Sequence, residues 1–132
     1  MANLGLKETE TFVRLYMVPG MQHCYGGPGP NFFGQFDFSS LNPKLEPVAQ
    51  ETDPEHNISV ALEEWVETST APASIIATKY VNDLDPNEGI KMTRPLCPYP
   101  QFAKYKGTGA TNDAANFICA ETNAQHPGTV PP

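Results

Sequence analysis

The sequence predicts an α/β fold, and three stretches carry that prediction. Thr11 to Val18 reads Thr-Phe-Val-Arg-Leu-Tyr-Met-Val, a run rich in β-branched and aromatic residues, without clean alternation, that stops at Pro19-Gly20. Such a run fits an interior strand covered on both faces, as in a parallel sheet flanked by helices. The ten residues before it cannot supply the neighbours it needs, so the rest of its sheet is expected from outside this chain. Asn57 to Glu67 has helical spacing: Asn57 can cap, Ile58, Ala61, Leu62, Trp65 and Val66 share one face, and Glu63, Glu64 and Glu67 point outward. Ser74 to Val81 reads as a strand, with Ile75 and Ala77 on one face and Ile76, Thr78 and Tyr80 on the other. Asp83 to Gly89 has turn composition, and Ile90 to Arg94 returns as the second strand of a hairpin.

A chain of 132 residues builds one core, and its composition limits what that core can serve. Gly and Pro fill 24 of the 132 positions, against roughly 12% in average proteins, so loops take an unusual share of the length. The formal charge of -7 argues against nucleic acid or an anionic membrane as partner, since both need clustered Lys and Arg. No apolar run nears the ~20 residues that span a bilayer, and Met1 to Glu10 has neither the basic start nor the apolar stretch of an export signal. Residues 1–120 form the expected domain portion. The polar segment from Glu121 to Pro132, with three prolines and no periodicity, is expected to be a disordered tail.

Chemistry concentrates between Pro19 and Phe38, where Gly20, Gly26, Gly27, Pro28, Gly29, Pro30 and Gly34 preclude any regular element. A long shaped loop after a buried strand is where open α/β sheets present their ligand-binding groups, and His23 stands inside it. A histidine held in such a frame is poised as a base; the alternative is a loop histidine satisfied by a carbonyl. His56 and His126 lie in polar loop contexts and are expected to be solvated. Three cysteines make an odd set, so one thiol is free or paired outside the chain in an oxidising compartment. Cys97, fixed between prolines, can bridge Cys119, or both can be buried reduced thiols. His23, Cys24, Cys97 and Cys119 make a poor zinc set, because adjacent ligands chelate badly and no Cys-x-x-Cys pair exists. Gly107-Thr108-Gly109 lacks the ending of a phosphate loop and reads as a turn. Tyr99, Phe102 and Tyr105 fit core packing better than an aromatic acyl pocket.

The motif Leu15-Tyr16-Met17-Val18-Pro19-Gly20-Met21-Gln22-His23-Cys24, followed by Gly26-Gly27-Pro28-Gly29-Pro30, resembles the tannase and feruloyl esterase family. Trp65-Val66-Glu67 with Ala71-Pro72, Arg94-Pro95-Leu96-Cys97-Pro98-Tyr99-Pro100, Lys104 to Gly109, Asn112 to Phe117 and Cys119 follow in that family's order, so the resemblance covers roughly residues 8 to 120. It implies the C-terminal part of an α/β-hydrolase fold: the last core strand, the loop with the catalytic histidine, an amphipathic helix and a terminal β-hairpin. It further implies a Ser-Asp-His triad with its histidine at His23, and a disulfide from Cys24 to a cysteine beside the nucleophile. Small-molecule aromatic esters, feruloyl or galloyl, would be the substrates and a secreted or periplasmic parent protein the setting. No cofactor is expected in this chain, and the structural calcium such enzymes often carry in a lid would sit outside it.

Triads on this fold run Ser, then Asp or Glu, then His, yet nothing before His23 is Ser or Asp. Ser39, Ser40, Ser59, Ser69 and Ser74 all follow it, none in a Gly-x-Ser-x-Gly elbow, and Glu8 and Glu10 fall before the strand, at the wrong end of the sheet. The chain is therefore expected to be one part of the catalytic unit, inactive alone, with the missing N-terminal part as its partner. The second reading is a non-catalytic remnant serving as a structural or interaction piece, which a start at Met1 permits.

Overall fold

The computed structural model describes residues 4–35 and 52–121. Its elements are α1 (Leu6–Thr9), α2 (Ile58–Thr68), β1 (Ile75–Asn82), β2 (Asp85–Leu96), β3 (Gln101–Tyr105) and β4 (Phe117–Glu121), with a 3₁₀ turn at Ala114–Asn116. The strands form two separate two-stranded antiparallel sheets, β1–β2 and β3–β4.

The first hairpin is the expected one, but β2 begins at Asp85 rather than after the turn-rich segment. Its register runs from Ile75 opposite Leu96 to Asn82 opposite Asp85, with irregularities after Lys79 and after Tyr80 that absorb the extra residues around Gly89. The second hairpin, which the sequence reading does not separate from loop, pairs Gln101 with Glu121 and Tyr105 with Phe117. Glu121 thus belongs to β4, and the rest of the expected tail, with His126, lies outside the described residues. The Cys97–Cys119 bridge exists, with Cα atoms 5.5 Å apart. It fastens the end of β2 to the middle of β4, so the two hairpins are covalently one body.

Helix α2 starts where its cap dictates: the Asn57 side chain accepts from the N–H groups of Ser59 and Val60 at 2.8 and 3.2 Å. Ser69, with φ +59°, closes it. Its expected apolar face is only partly covered. Ala61 is buried and Ile58 packs on the core, whereas Leu62 and Val66 are exposed.

Thr11–Val18 departs most from expectation. Among the described residues it forms no ladder, only a single bridge from Tyr16 to Pro98, supported by the Tyr99 N–H donating to the Leu15 carbonyl at 2.8 Å. A ladder needs a partner edge along its length, and none of the described strands offers one here, so Phe12, Val13, Leu15 and Met17 face outward. The Tyr16 hydroxyl donates to the Pro72 carbonyl at 2.8 Å, and burial raises its pKa against the opposing pull of Arg14. The core lies between the hairpin and α2: Phe33, Ala61, Ile75, Ala77 and Leu96, with Tyr16, Val18, Met21 and Ile58 packed against it. Complete burial of a side chain such as Ile75 contributes about 2 kcal/mol. Tyr99 and Phe102, expected in the core, are exposed, because they follow the first sheet and the core is already closed by Leu96.

Candidate active site

Val18 and Met21 anchor the loop to the core on either side of Pro19-Gly20, which leaves His23 two residues beyond a packed side chain. Glycine then shapes the path. Gly27 has φ +93°, and a Cβ there would lie 2.2 Å from the Gly20 carbonyl oxygen; a Cβ on Gly29 would lie 2.2 Å from that of Pro19. The two limbs of the loop thus touch backbone to backbone, which a side chain would prevent. The Gln22 N–H donates to Gly26 O and the Gly29 N–H to Gly20 O, both at 3.1 Å.

His23 projects from this frame into solvent. Its Nδ1 lies 3.0 Å from the Cys24 sulfur, and its carbonyl accepts from the Tyr25 N–H at 3.0 Å. Cys24 is an exposed free thiol with φ +71°, a left-handed conformation unusual for a residue with a side chain. The structure therefore brings together His23 and Cys24, and separately Cys97 and Cys119; the bridge uses two of the four residues that a zinc reading would need. Among the described residues there is no group of three or more His, Cys, Asp or Glu that could hold a metal ion.

Three props were missed in the sequence. Gln35 donates to the carbonyls of Cys24 and Asn31, at 3.2 and 2.5 Å, while its side-chain oxygen accepts from the Phe33 N–H at 3.0 Å. Lys79 donates to the Gly27 carbonyl at 2.7 Å and pairs with Asp83. Asp83 also accepts from Asn31, which is fully buried. A signal for Lys79 was present: it falls two positions after Ala77 and four after Ile75, on the face that the apolar pattern buries.

His56 is more than a solvated loop residue. Its Nδ1 sits 2.9 Å from Asp53 Oδ1, while the backbone N–H groups of Glu55 and His56 donate to the same oxygen at 2.9 and 3.0 Å. Burial pushes the Asp53 carboxyl up, but the His56 ring and these N–H groups outweigh it and hold its pKa below the usual value. Arg94 lies over the Phe117 ring at 3.7 Å, and burial lowers its pKa. A cleft of about 530 Å³ between the hairpins is lined by His56, Ser74, Thr93 and Asp113, and an apolar groove of about 370 Å³ by Phe12, Val13, Leu62 and Trp65; His23 lines neither. No helix among the described residues is long and apolar enough to cross a membrane.

His23 thus stands exposed on a glycine-built loop that follows the strand-like segment Thr11–Val18. The chain belongs to the tannase and feruloyl esterase family, whose model matches residues 1–120. It is 46% identical over 118 residues to an uncharacterised esterase of Xanthomonas campestris pv. campestris, covering 89% of this chain and 19% of that protein. It is 41% identical over 110 residues to the mono(2-hydroxyethyl) terephthalate hydrolase of Piscinibacter sakaiensis, covering 83% of this chain and 14% of that one. Among solved structures, feruloyl esterase B of Aspergillus oryzae superposes with a TM-score of 0.67 at 26% identity, over 89% of this chain and 20% of its own. The chain therefore spans a fifth or less of the length of these relatives.

Proposed function

We propose that this chain supplies the general base of a serine carboxylic ester hydrolase, with His23 as that base and the serine and aspartate contributed by sequence outside it. The observation that carries this reading is the placement of His23: exposed, on a loop whose limbs touch only because Gly27 and Gly29 carry no side chain, in a chain matched from residue 1 to 120 by an esterase family. The Nε2 atom would take the proton of the serine hydroxyl as the serine oxygen attacks the ester carbonyl, then give it to the departing alcohol, leaving an acyl-enzyme. Water then attacks the acyl group, loses its proton to the same nitrogen, and the serine regains it. A carboxylate on Nδ1 would fix the tautomer, which requires that Cys24 turn away from that nitrogen; a disulfide from Cys24 to a cysteine beside the nucleophile would do so.

Substrates would be small esters of aromatic acids, feruloyl or galloyl in type. The terephthalate and feruloyl names among the relatives share that chemistry, an aromatic carboxylate joined to an alcohol. Disulfides fit a secreted or periplasmic enzyme. A calcium ion, if the complete enzyme holds one, would bind outside the described residues.

The test is His23→Ala in the complete enzyme, with His56→Ala as control. Loss of the base should lower kcat on the order of 10⁶-fold with KM little changed. His56→Ala should alter stability alone. Folded His23→Ala protein that retains more than about a tenth of the parent kcat would refute the assignment.

A further inference from the structure

We propose that Lys79 is a positioning residue for His23, acting through the carbonyl of Gly27; this rests on the reading of His23 as the base. Lys79 stands on β1 on the face of Ile75 and Ala77, and its side chain is only 10% exposed. An ammonium is costly to place there unless its protons are satisfied, and an apolar residue of similar volume would serve the core at least as well. Ion pairing alone does not account for it. The carboxylate it meets, Asp83, is itself incompletely satisfied: its Oδ1 and the Oδ1 of Asn31 are buried without a partner among the described residues. What the lysine does that an apolar residue cannot is donate to Gly27 O at 2.7 Å, across 52 residues of chain.

That carbonyl is well placed to govern the histidine. Gly27 lies where the limbs of the loop touch, and the adjoining Gly26 carbonyl accepts from Gln22, the residue before His23. Gln35 holds the following carbonyl, that of Cys24. His23 is thus held from two sides: by Gln35 from within its own loop, and by Lys79 from a strand fixed in the core. Without the ammonium, Gly27 O loses its donor and the contact between the limbs can open. A shift of the imidazole by about 1 Å is enough to cost roughly 10²-fold in rate.

The experiment compares Lys79→Met, Lys79→Arg and the double variant Lys79→Met/Asp83→Asn in the complete enzyme. Removing the Asp83 charge relieves the carboxylate that Lys79→Met orphans, so the double variant should regain the parent's thermal midpoint. Its kcat should nevertheless stay about 10²-fold down, with KM within about threefold, and Lys79→Arg should recover most of the loss. Recovery of kcat together with the midpoint in the double variant would show a merely structural ion pair and overturn the proposal, as would unchanged kcat in Lys79→Met. A second readout needs no catalysis. In the complete enzyme the amides of Gln22 and Gly29, whose bonds close the loop, should exchange with deuterium at least about tenfold faster in the double variant, and unchanged exchange overturns the tether. Should His23→Ala keep its activity, the esterase reading falls, while the exchange rates still decide whether Lys79 holds the loop.

Discussion

Phe32 and Thr78 exchange both backbone hydrogen bonds, at 3.0 and 2.7 Å, so the exit of the histidine loop lies against β1 like a short third strand. Its ring also stands against Tyr80, with centroids 5.3 Å apart, and Phe32 is buried. Phe32→Ala should therefore cost about 3 kcal/mol or more in denaturant unfolding. In the complete enzyme the same change should depress kcat beyond what the fraction unfolded explains. Activity that tracks the folded fraction alone would mean the exit strand has no hold on His23.

The Asp53–His56 pair predicts an acid limb. The folded Asp53 carboxyl titrates below its ordinary value, so its contribution is present above the unfolded value of about 3.9 and is lost as pH falls through the lower, folded value. With the Asp53 side chain 45% exposed, solvent screening keeps the effect small. Asp53→Asn should flatten the fall in stability below about pH 4 relative to the parent, measured by urea unfolding at stepped pH. Parallel curves would show that the pair contributes nothing.

Leu62 is 56% and Val66 75% exposed on α2, beside Phe12 and Val13 at the apolar groove. A continuous apolar surface of this kind drives association in water. The 132-residue chain should sediment as oligomers at micromolar concentration, and Leu62→Gln with Val66→Lys should shift it toward monomer. The same pair should lower the thermal midpoint of the complete enzyme, where that face is expected to be covered. A midpoint that does not move would show that the face stays open.

The parts of the fold legible in the sequence are those fixed by local chemistry. Asn57 caps α2 because its side chain meets the first free N–H groups, and Ser74–Val81 reads as a strand because alternation places Ile75 and Ala77 together. The glycines of the loop announce themselves, since left-handed backbone of the kind at Gly20, Gly26 and Gly27 favours glycine. What stayed hidden depends on distant partners. Among the described residues Thr11–Val18 has strand composition but finds one bridge, and the face of Leu62 and Val66 finds no cover. The β3–β4 hairpin was masked by the long polar connection between Tyr105 and Phe117. His23 could be singled out in advance from its frame and Lys79 marked as a lysine on a buried face, but not the carbonyls that Lys79 and Gln35 reach, because which carbonyl a side chain reaches is decided only when the chain folds back.

The span from Gly27 to Lys79 also sets an order in time. Synthesis proceeds from the N-terminus at about 5–20 residues per second, so the loop emerges roughly 3–10 s before the lysine that holds it is made. Thr78, which stitches the exit strand, comes one residue earlier than that lysine. Throughout the interval the histidine segment is a glycine-rich ribbon with a bare thiol at Cys24, open to any oxidant or partner cysteine nearby. A ribosome that stalls inside this window releases a product carrying His23 without the strand that braces its loop.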